Sequence, residues 1–219
     1  MYIGKLFKRL SKKYHSHKFV GICSDSRHCK KGDIFFSIKG TKKNGNKFIN
    51  DAIKNGARTI VSNLNFQGKK ENILFIKNNN IRKLVSEIAS KFYKKKPNNL
   101  IAVTGTNGKS SVANFYFQIL KNNGLKAASI GTLGIKTNNI NKLTINTTLD
   151  PITIHKILSS IKREKIKNTI IEASSHGLKQ NRLDGIKFDS TIFTNLSRDH
   201  LDYHKTYKDY FNSKLILFN

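Results

Sequence analysis

The sequence has few cysteines, few acidic residues and no long apolar run, and each shortage excludes a class of protein. Cys23 and Cys29 are the only cysteines, and they lack the C-x-x-C spacing of a zinc or redox pair. We therefore expect reduced thiols in an intracellular, cytoplasmic protein. No apolar stretch approaches the ~18 residues that cross a bilayer, and the N-terminal segment lacks the apolar core of a signal peptide. The sequence predicts a soluble chain with no membrane partner.

The shortage of acidic residues leaves a large positive charge. The sequence has 13 Asp and Glu residues and 41 Lys and Arg residues, which gives a formal net charge of +28. Such an excess commonly marks a nucleic-acid-binding protein. Here the basic residues are mostly lysines, scattered through every segment among abundant Asn and Ile, a pattern that fits a coding bias equally well. We expect no specific nucleic-acid partner, only weak, salt-sensitive adhesion to polyanions.

Apolar spacing along the 219 residues predicts an α/β chain with two domains. A helical stripe over residues 81–95 is broken by Lys-Lys-Lys-Pro-Asn-Asn, so we place the boundary between a domain of residues 1–96 and one of residues 97–219. Predicted strands cover residues 19–23, 33–38, 59–62, 73–76, 100–104, 126–131, 168–173 and 190–194. Predicted helices cover residues 3–10, 46–55, 81–95, 109–122 and 152–164, with a last helix from Tyr207. The alternation predicts a mostly parallel sheet with helices on both faces.

Residues 101–111, Ile-Ala-Val-Thr-Gly-Thr-Asn-Gly-Lys-Ser-Ser, have the build of a phosphate-binding loop. Gly105 and Gly108 allow a tight turn that brings N–H groups close to an anion, and the following helix adds its positive N-terminal dipole. Lys109 can reach the terminal phosphates, and the Ser110 hydroxyl can hold Mg²⁺. The pattern G-x-x-x-x-G-K-[ST] is incomplete because Val103 stands at its first position. An ordinary glycine turn between a strand and a helix is the alternative.

Two further segments carry residues suited to a metal. Glu172 ends the apolar strand Thr-Ile-Ile-Glu, so its carboxylate is expected beside the phosphate loop, where it can complete the Mg²⁺ shell begun by Ser110. The alternative is a glutamate that caps the next turn. His200 and His204 are spaced to lie on one helical face, but the sequence has no H-E-x-x-H motif, which argues against a zinc protease.

The segment Thr-Gly-Thr-Asn-Gly-Lys-Ser resembles the nucleotide loop of the Mur ligases, the ATP-dependent amide-forming enzymes of peptidoglycan precursor synthesis. Three more segments agree with it. Residues 24–40, with Ser-Asp-Ser-Arg, resemble the uridine-nucleotide domain at the start of that family. Residues 172–182, Glu-Ala-Ser-Ser-His-Gly-Leu-Lys-Gln-Asn-Arg, and 193–204, Phe-Thr-Asn-Leu-Ser-Arg-Asp-His-Leu-Asp-Tyr-His, resemble the branch that adds the third amino acid. These segments stand in the family's order over about residues 20–219.

The resemblance implies a fold, a reaction and a set of site residues. A small α/β uridine-nucleotide domain is followed by an incomplete P-loop ATPase-like central domain. With ATP and Mg²⁺, the enzyme activates UDP-N-acetylmuramoyl-L-alanyl-D-glutamate as an acyl phosphate, which the amine of diaminopimelate or lysine then attacks. ATP binding falls to Gly105, Thr106, Asn107, Gly108, Lys109, Ser110 and Ser111. The sugar nucleotide falls to Ser24, Ser26, Thr41, Lys42, Lys43, Asn146, Thr147, Thr148, Ser174, Gln180 and Arg182.

The resemblance also assigns catalytic and metal roles. Lys109, His200 and Lys214 are implied as catalytic, and Ser110, Glu172, His200 and Lys214 as metal ligands. By composition alone, Lys214 is an ordinary helical lysine; the family segment implies that it is carbamylated. Burial can lower the pKa of a lysine, and the neutral amine can then take up CO₂ and become an anion. For His204 a structural surface role is an equal alternative.

The chain departs from the family in its length. The resembling enzymes have three domains, whereas residue 219 falls within the central domain, before the C-terminal domain that binds the incoming amino acid. We expect the 219 residues alone not to ligate, and the complete enzyme to be a monomer. Two alternatives remain: a related ligase of the folylpolyglutamate synthase type, against which Ser-Asp-Ser-Arg and Ser-Ser-His-Gly-Leu argue, and a basic, non-catalytic nucleic-acid-binding module.

Overall fold

A computed structural model describes residues 1–40 and 44–218. The chain divides into two compact units, Met1–Phe92 and the residues from Tyr93 onward. Each unit has its own sheet of mostly parallel strands with helices, so the predicted α/β fold is confirmed. Within the described ranges, no helix has the length and apolar character needed to cross a membrane.

The first unit is a five-stranded sheet with strand order β1-β2-β3-β5-β4. The strands are β1 (Ile22–Cys23), β2 (Ile34–Phe36), β3 (Thr59–Ser62), β4 (Gly68–Lys70) and β5 (Ile73–Lys77), and the helices are α1 (Ile49–Lys54) and α2 (Ile81–Phe92). All pairs are parallel except β4 with β5. β3 is buried along its whole length, including its polar end residues Thr59 and Ser62. The sequence does not signal β4, because Gly-Lys-Lys has no apolar alternation.

The predicted amphipathic first helix is wrong in form. Its four apolar residues, Ile3, Leu6, Phe7 and Leu10, are buried as expected. However, only Ile3–Lys5 of the predicted residues 3–10 forms a helix, of the 3-10 type, and a second 3-10 helix, Lys12–Tyr14, follows the segment. The N–H groups of Ile3 and Gly4 donate to the carbonyls of residues 17 and 15, and the helical turn that follows ends soon after Phe7, whose N–H donates to the Ile3 carbonyl. Pairing across the segment therefore replaced the helix that local spacing favoured.

The two cysteines are bonded to each other, so the expectation of reduced thiols is wrong for this structure. Cys23 ends β1, and the 3-10 helix Ser26–His28 turns the chain back so that Cys29 lies beside it. Their Cα atoms are 5.8 Å apart and they form a disulfide. The closed loop contains Ser24 and Ser26, two of the residues assigned to the sugar nucleotide.

The second unit has a six-stranded sheet with strand order β11-β6-β10-β7-β8-β9. Its strands are β6 (Asn99–Thr104), β7 (Ala127–Gly131), β8 (Gly134–Thr137), β9 (Asn141–Lys142), β10 (Asn168–Glu172) and β11 (Ser190–Phe193). Its helices are α3 (Lys109–Asn122), α4 (Pro151–Arg163), α5 (Ser175–Lys179), α6 (Leu201–His204) and α7 (Tyr207–Leu215). The four strands β11, β6, β10 and β7 are parallel, and β8 and β9 are antiparallel additions.

Local chemistry explains the elements that place the site. The Asp150 carboxylate accepts hydrogen bonds from the N–H groups of Ile152 and Thr153, and Pro151 occupies the first turn, so α4 begins there. β10 lies between β6 and β7, and its adjacent residues Ile170 and Ile171 are both fully buried. Because both faces of β10 are covered, its position is fixed, and Glu172 at its end is fixed with it.

His155 on α4 gives a testable pH dependence. It is fully buried, and burial lowers its pKa to about 4. The unfolded chain binds a proton near pH 6.5 and the folded chain does not, so this residue reduces stability as pH falls from about 6.5 to about 4. The unaltered chain should lose about 3 kcal/mol of its free energy of unfolding through His155 as the pH falls, and we expect His155→Leu to abolish that loss. Urea unfolding at pH values from 7 to 4 measures this loss. If the variant lost as much free energy of unfolding as the unaltered chain, the lowered pKa of His155 would be contradicted.

Candidate nucleotide site

The phosphate loop lies where β6 ends and α3 begins, at the carboxyl edge of the parallel strands. Gly105 has φ +143°, and a Cβ there would stand 1.9 Å from the Thr194 hydroxyl oxygen. Gly108 has φ +82° and is the N-cap of α3. The side-chain oxygen of Asn195 accepts a hydrogen bond from the Asn107 N–H at 3.0 Å. The glycines therefore have the backbone role expected of them, and the segment after β11 holds the loop from outside.

The close approach at Gly105 yields a prediction on stability. Gly105→Ala adds a methyl group that overlaps Thr194, in addition to the strain of a positive φ. Gly124→Ala is the matched control, because Gly124 has φ +72° and open space around it. We expect Gly105→Ala to lower the free energy of unfolding by at least about 2 kcal/mol more than the control. Equal losses in urea unfolding would show that the Thr194 contact is unimportant.

Two lysines converge on one carbonyl oxygen of the loop. Lys109 donates to the Gly105 carbonyl at 2.8 Å and to the Thr106 carbonyl at 2.7 Å. Lys214, which is only 1% exposed, donates to the same Gly105 carbonyl at 2.6 Å. Burial lowers the pKa of both amines, and the neighbouring Lys109 charge adds to the effect on Lys214, whose pKa is about 8. The site therefore contains a basic group for phosphate and a second amine that loses its proton unusually easily.

Glu172 lies under the loop as predicted from the end of its strand. It is 1% exposed, and its carboxylate accepts hydrogen bonds from the Ser110 hydroxyl at 2.8 Å and the Thr132 hydroxyl at 3.1 Å. The Thr132 N–H adds a third bond at 3.0 Å. Hydroxyl and carboxylate oxygens are the ligands that Mg²⁺ prefers, so Ser110 and Glu172 fit a magnesium site.

Most residues of the phosphate loop line a cavity of about 250 Å³. From the predicted set, the loop residues Thr106 to Ser111 line it together with Thr147, Ser174, His200 and Lys214. Thr132, Ser175 and Tyr210, which sequence analysis did not select, complete the wall. Thr132 follows β7 at the same sheet edge. Ligands of parallel sheets bind at the carboxyl ends of the strands, so the sequence position of Thr132 after a strand could have indicated it. Ser175 and Tyr210 carry no comparable signal in the sequence.

Other predicted substrate residues are placed around this cavity or in the first unit. The Thr148 hydroxyl is buried, donates to the Glu172 carbonyl at 2.9 Å and accepts from the Ser174 N–H at 2.9 Å. The side-chain oxygen of Gln180 accepts from Arg182, which also donates to the Thr148 carbonyl. Asn146 is exposed. In the first unit, Ser24 is half-buried after β1 and Ser26 is buried, whereas Thr41, Lys42 and Lys43 lie outside the described residues.

The two histidines of the Asp-His-Leu-Asp-Tyr-His segment have different environments. His200 is the N-cap of α6, in a left-handed conformation with φ 54°. Its ring lies 3.6 Å from the Asp199 carboxylate and 4.9 Å, between centroids, from His176. His204 is fully buried, so the alternative of a surface histidine is wrong. Burial, assisted by neighbouring positive charges, lowers the pKa of His204.

A glycine-bounded loop with two amines, a hydroxyl and a buried carboxylate beside it has the build of a phosphate-binding loop in an α/β domain. The family model of the Mur ligase middle domain matches residues 103–219. The model of the Mur ligase family catalytic domain matches residues 18–96. The chain belongs to the Mur ligase family. Members of this family are ATP-dependent ligases.

Individual relatives agree with the family assignment. The UDP-N-acetylmuramoyl-L-alanyl-D-glutamate–2,6-diaminopimelate ligase of Rhizobium meliloti (strain 1021) is 41% identical over 90% of this chain and 40% of its own length. A solved structure of a ligase with that name has a TM-score of 0.84 at 28% identity, over 100% of this chain and 45% of that one. The chain thus spans less than half the length of these relatives.

The fold extends to a more distant enzyme. The apo form of L. casei FPGS has a TM-score of 0.50 at 16% identity, over 66% of this chain and 42% of that one. At this identity the likeness shows the fold alone. The Mur ligase matches cover residues 18–96 and 103–219, whereas this likeness covers 66% of the chain.

Proposed function

We propose that this chain is the nucleotide-binding part of a ligase that adds the third amino acid to UDP-N-acetylmuramoyl-L-alanyl-D-glutamate in peptidoglycan synthesis. The relatives' names support 2,6-diaminopimelate as that amino acid. The observation that carries the proposal is the Ser110–Glu172 hydrogen bond. It lies beside the loop to which the Lys109 amine donates at the Gly105 carbonyl. The Ser110–Glu172 pair would hold a metal ion close to the terminal phosphates of ATP, and that is what supports the proposal.

The proposed reaction has two steps. The γ-phosphoryl group of ATP passes to the D-glutamyl carboxylate, forming an acyl phosphate and ADP. The amine of the incoming amino acid then forms the C–N bond as the acyl C–O bond breaks, and phosphate and a proton leave. Loop N–H groups and Lys109 would bind the phosphates, while Ser110 and Glu172 would hold Mg²⁺, which neutralises charge on the phosphate oxygens when bound. The chain's contribution is positioning and electrostatics.

Lys214 is proposed to be carbamylated. Its neutral amine would attack CO₂, forming an N–C bond and releasing one proton to solvent. Three observations support this: near-complete burial, a pKa of about 8, and a hydrogen bond to a carbonyl rather than a carboxylate. The modification turns a cation next to Lys109 into an anion, so it replaces repulsion with attraction. The carbamate and His200 would then serve as ligands of a second Mg²⁺.

The sugar nucleotide is proposed to bind Ser24, Ser26 and residues 41–43 in the first unit. In the second unit, Asn146, Thr147, Thr148, Ser174, Gln180 and Arg182 would contact the substrate. Hydroxyl, amide and guanidinium groups suit diphosphate and carboxylate oxygens. We further propose that the enzyme acts in the cytoplasm as a monomer and binds no specific nucleic acid.

Competition binding tests the substrate class. A fluorescent UDP-N-acetylmuramoyl dipeptide is bound to the chain in the presence of Mg²⁺ and ATP, and unlabelled dipeptide nucleotide or folate is added. We expect the unlabelled nucleotide to displace the probe and folate to leave it bound. Displacement by folate alone would instead support a folylpolyglutamate-synthase-type ligase.

A further inference from the structure

His204 connects two helices through a buried hydrogen-bond network. Its Nε2 atom lies 3.0 Å from the Ser175 hydroxyl on α5, and its Nδ1 atom lies 3.2 Å from the Ser213 hydroxyl on α7. All three residues are at most 3% exposed. Buried polar groups of this kind are costly to leave unpaired, so the network restricts how α7 can move against α5.

The hydrogen bonds fix the protons of this network. The Ser213 hydroxyl donates to the Asp209 carbonyl at 2.7 Å, so it accepts from His204, whose Nδ1 atom must carry a proton. In the neutral ring Nε2 is then an acceptor, and the Ser175 hydroxyl donates to it. His204 and Ser213 therefore each donate to one partner and accept from another, which a leucine at position 204 cannot reproduce.

Ser213 is adjacent to Lys214, and the opposite end of the network lies at the cavity wall. Ser175 lines the same cavity as Lys214. α7 is held to the loop at a second point, because the Tyr210 hydroxyl lies 3.0 Å from the Thr106 hydroxyl and the Tyr210 ring lies 4.4 Å below the Lys214 amine. The position of the amine relative to Gly105 thus depends on where α7 is fixed.

We infer that His204 is a positioning residue that, through Ser213 and Ser175, holds α7 so that the Lys214 amine stays buried against the Gly105 carbonyl. The inference rests on the proposed carbamylation of Lys214 and adds the residue that keeps this lysine in its reactive place. If α7 shifts, the Lys214 amine leaves the Gly105 carbonyl and the cavity that Ser175 also lines, so a carbamate formed on it loses its buried position.

The carbamate itself provides the test. The chain is incubated with ¹³C-bicarbonate at pH 8, and the carbamate carbonyl signal is followed by NMR as bicarbonate is increased. We expect His204→Leu to raise the half-saturating bicarbonate concentration about tenfold, and His204→Gln, which keeps one donor and one acceptor, to raise it less. His155→Leu is the matched control, because it removes an equally buried histidine of the same unit whose ring lies 3.2 Å from the Asp184 carbonyl, outside the His204 network. We expect it to leave the carbamate signal unchanged.

The outcomes separate the two proposals. If the unaltered chain gives no carbamate signal, the carbamylation proposal and the role of His204 both fail. If the unaltered chain gives the signal and His204→Leu saturates at the same bicarbonate concentration, only the positioning role is overturned. An equal loss in His155→Leu would also overturn it, because the effect would then follow from general destabilisation.

Discussion

Lys109→Ala is expected to weaken ATP binding by this chain at least about 100-fold in the presence of Mg²⁺. The Lys109 amine is held at the loop by the carbonyls of Gly105 and Thr106, where we propose that the terminal phosphates bind. Removing it leaves the loop N–H groups and the dipole of α3, which attract an anion more weakly without a full charge. Titration with a fluorescent ATP analogue measures the change.

Lys156→Ala is the charge-matched control, since Lys156 is an exposed residue of α4. We expect it to leave ATP affinity within about twofold, because a screened surface charge contributes little. The same pair separates the alternative of a nucleic-acid-binding module. Tight, salt-dependent polyanion binding that survives Lys109→Ala, with no ATP binding in the unaltered chain, would favour that module and contradict the ligase proposal.

Lys214→Met is expected to abolish the carbamate signal and, in CO₂-free buffer at pH 7, to stabilise the second unit by about 1–3 kcal/mol. The unaltered lysine is 1% exposed and must hold a proton at this pH against its surroundings. Its pKa falls from 10.5 to about 8 on folding, a difference that corresponds to about 3 kcal/mol. Methionine removes the charge, and Lys109 still bonds to the Gly105 carbonyl.

The pH dependence has a definite sign. Between about pH 8 and pH 10.5 the unfolded chain keeps a proton on this amine and the folded chain does not, so stability rises with pH over that window. The Lys214→Met variant should lack this rise. Urea unfolding at pH 7, 8, 9 and 10 in CO₂-free buffer measures both chains. A variant less stable than the unaltered chain at pH 7 would show that Lys214 is a favourable structural contact and not a strained cation.

The sequence by itself determined the features that depend on neighbours along the chain. Residues 101–111 predicted the strand, the glycine turn and the helix that the structure contains, because the two glycines and the capping geometry are local. Strand Thr59–Ser62 and helix Lys109–Asn122 have the predicted bounds. The position of Glu172 beside the loop followed from its place at the end of a strand, because the carboxyl ends of parallel strands share one edge of the sheet.

Contacts between distant residues were decided only in the folded chain. Lys214 and Gly105 are 109 residues apart, and nothing near Lys214 in the sequence signals that its amine ends on that carbonyl. The burial of His204 between Ser175 and Ser213, and the pairing that replaced the N-terminal helix, have the same origin. Local patterns fix elements because their energies come from residues a few positions away. The pKa of a buried amine depends on desolvation and on charges brought near it, and these exist only after the units have folded.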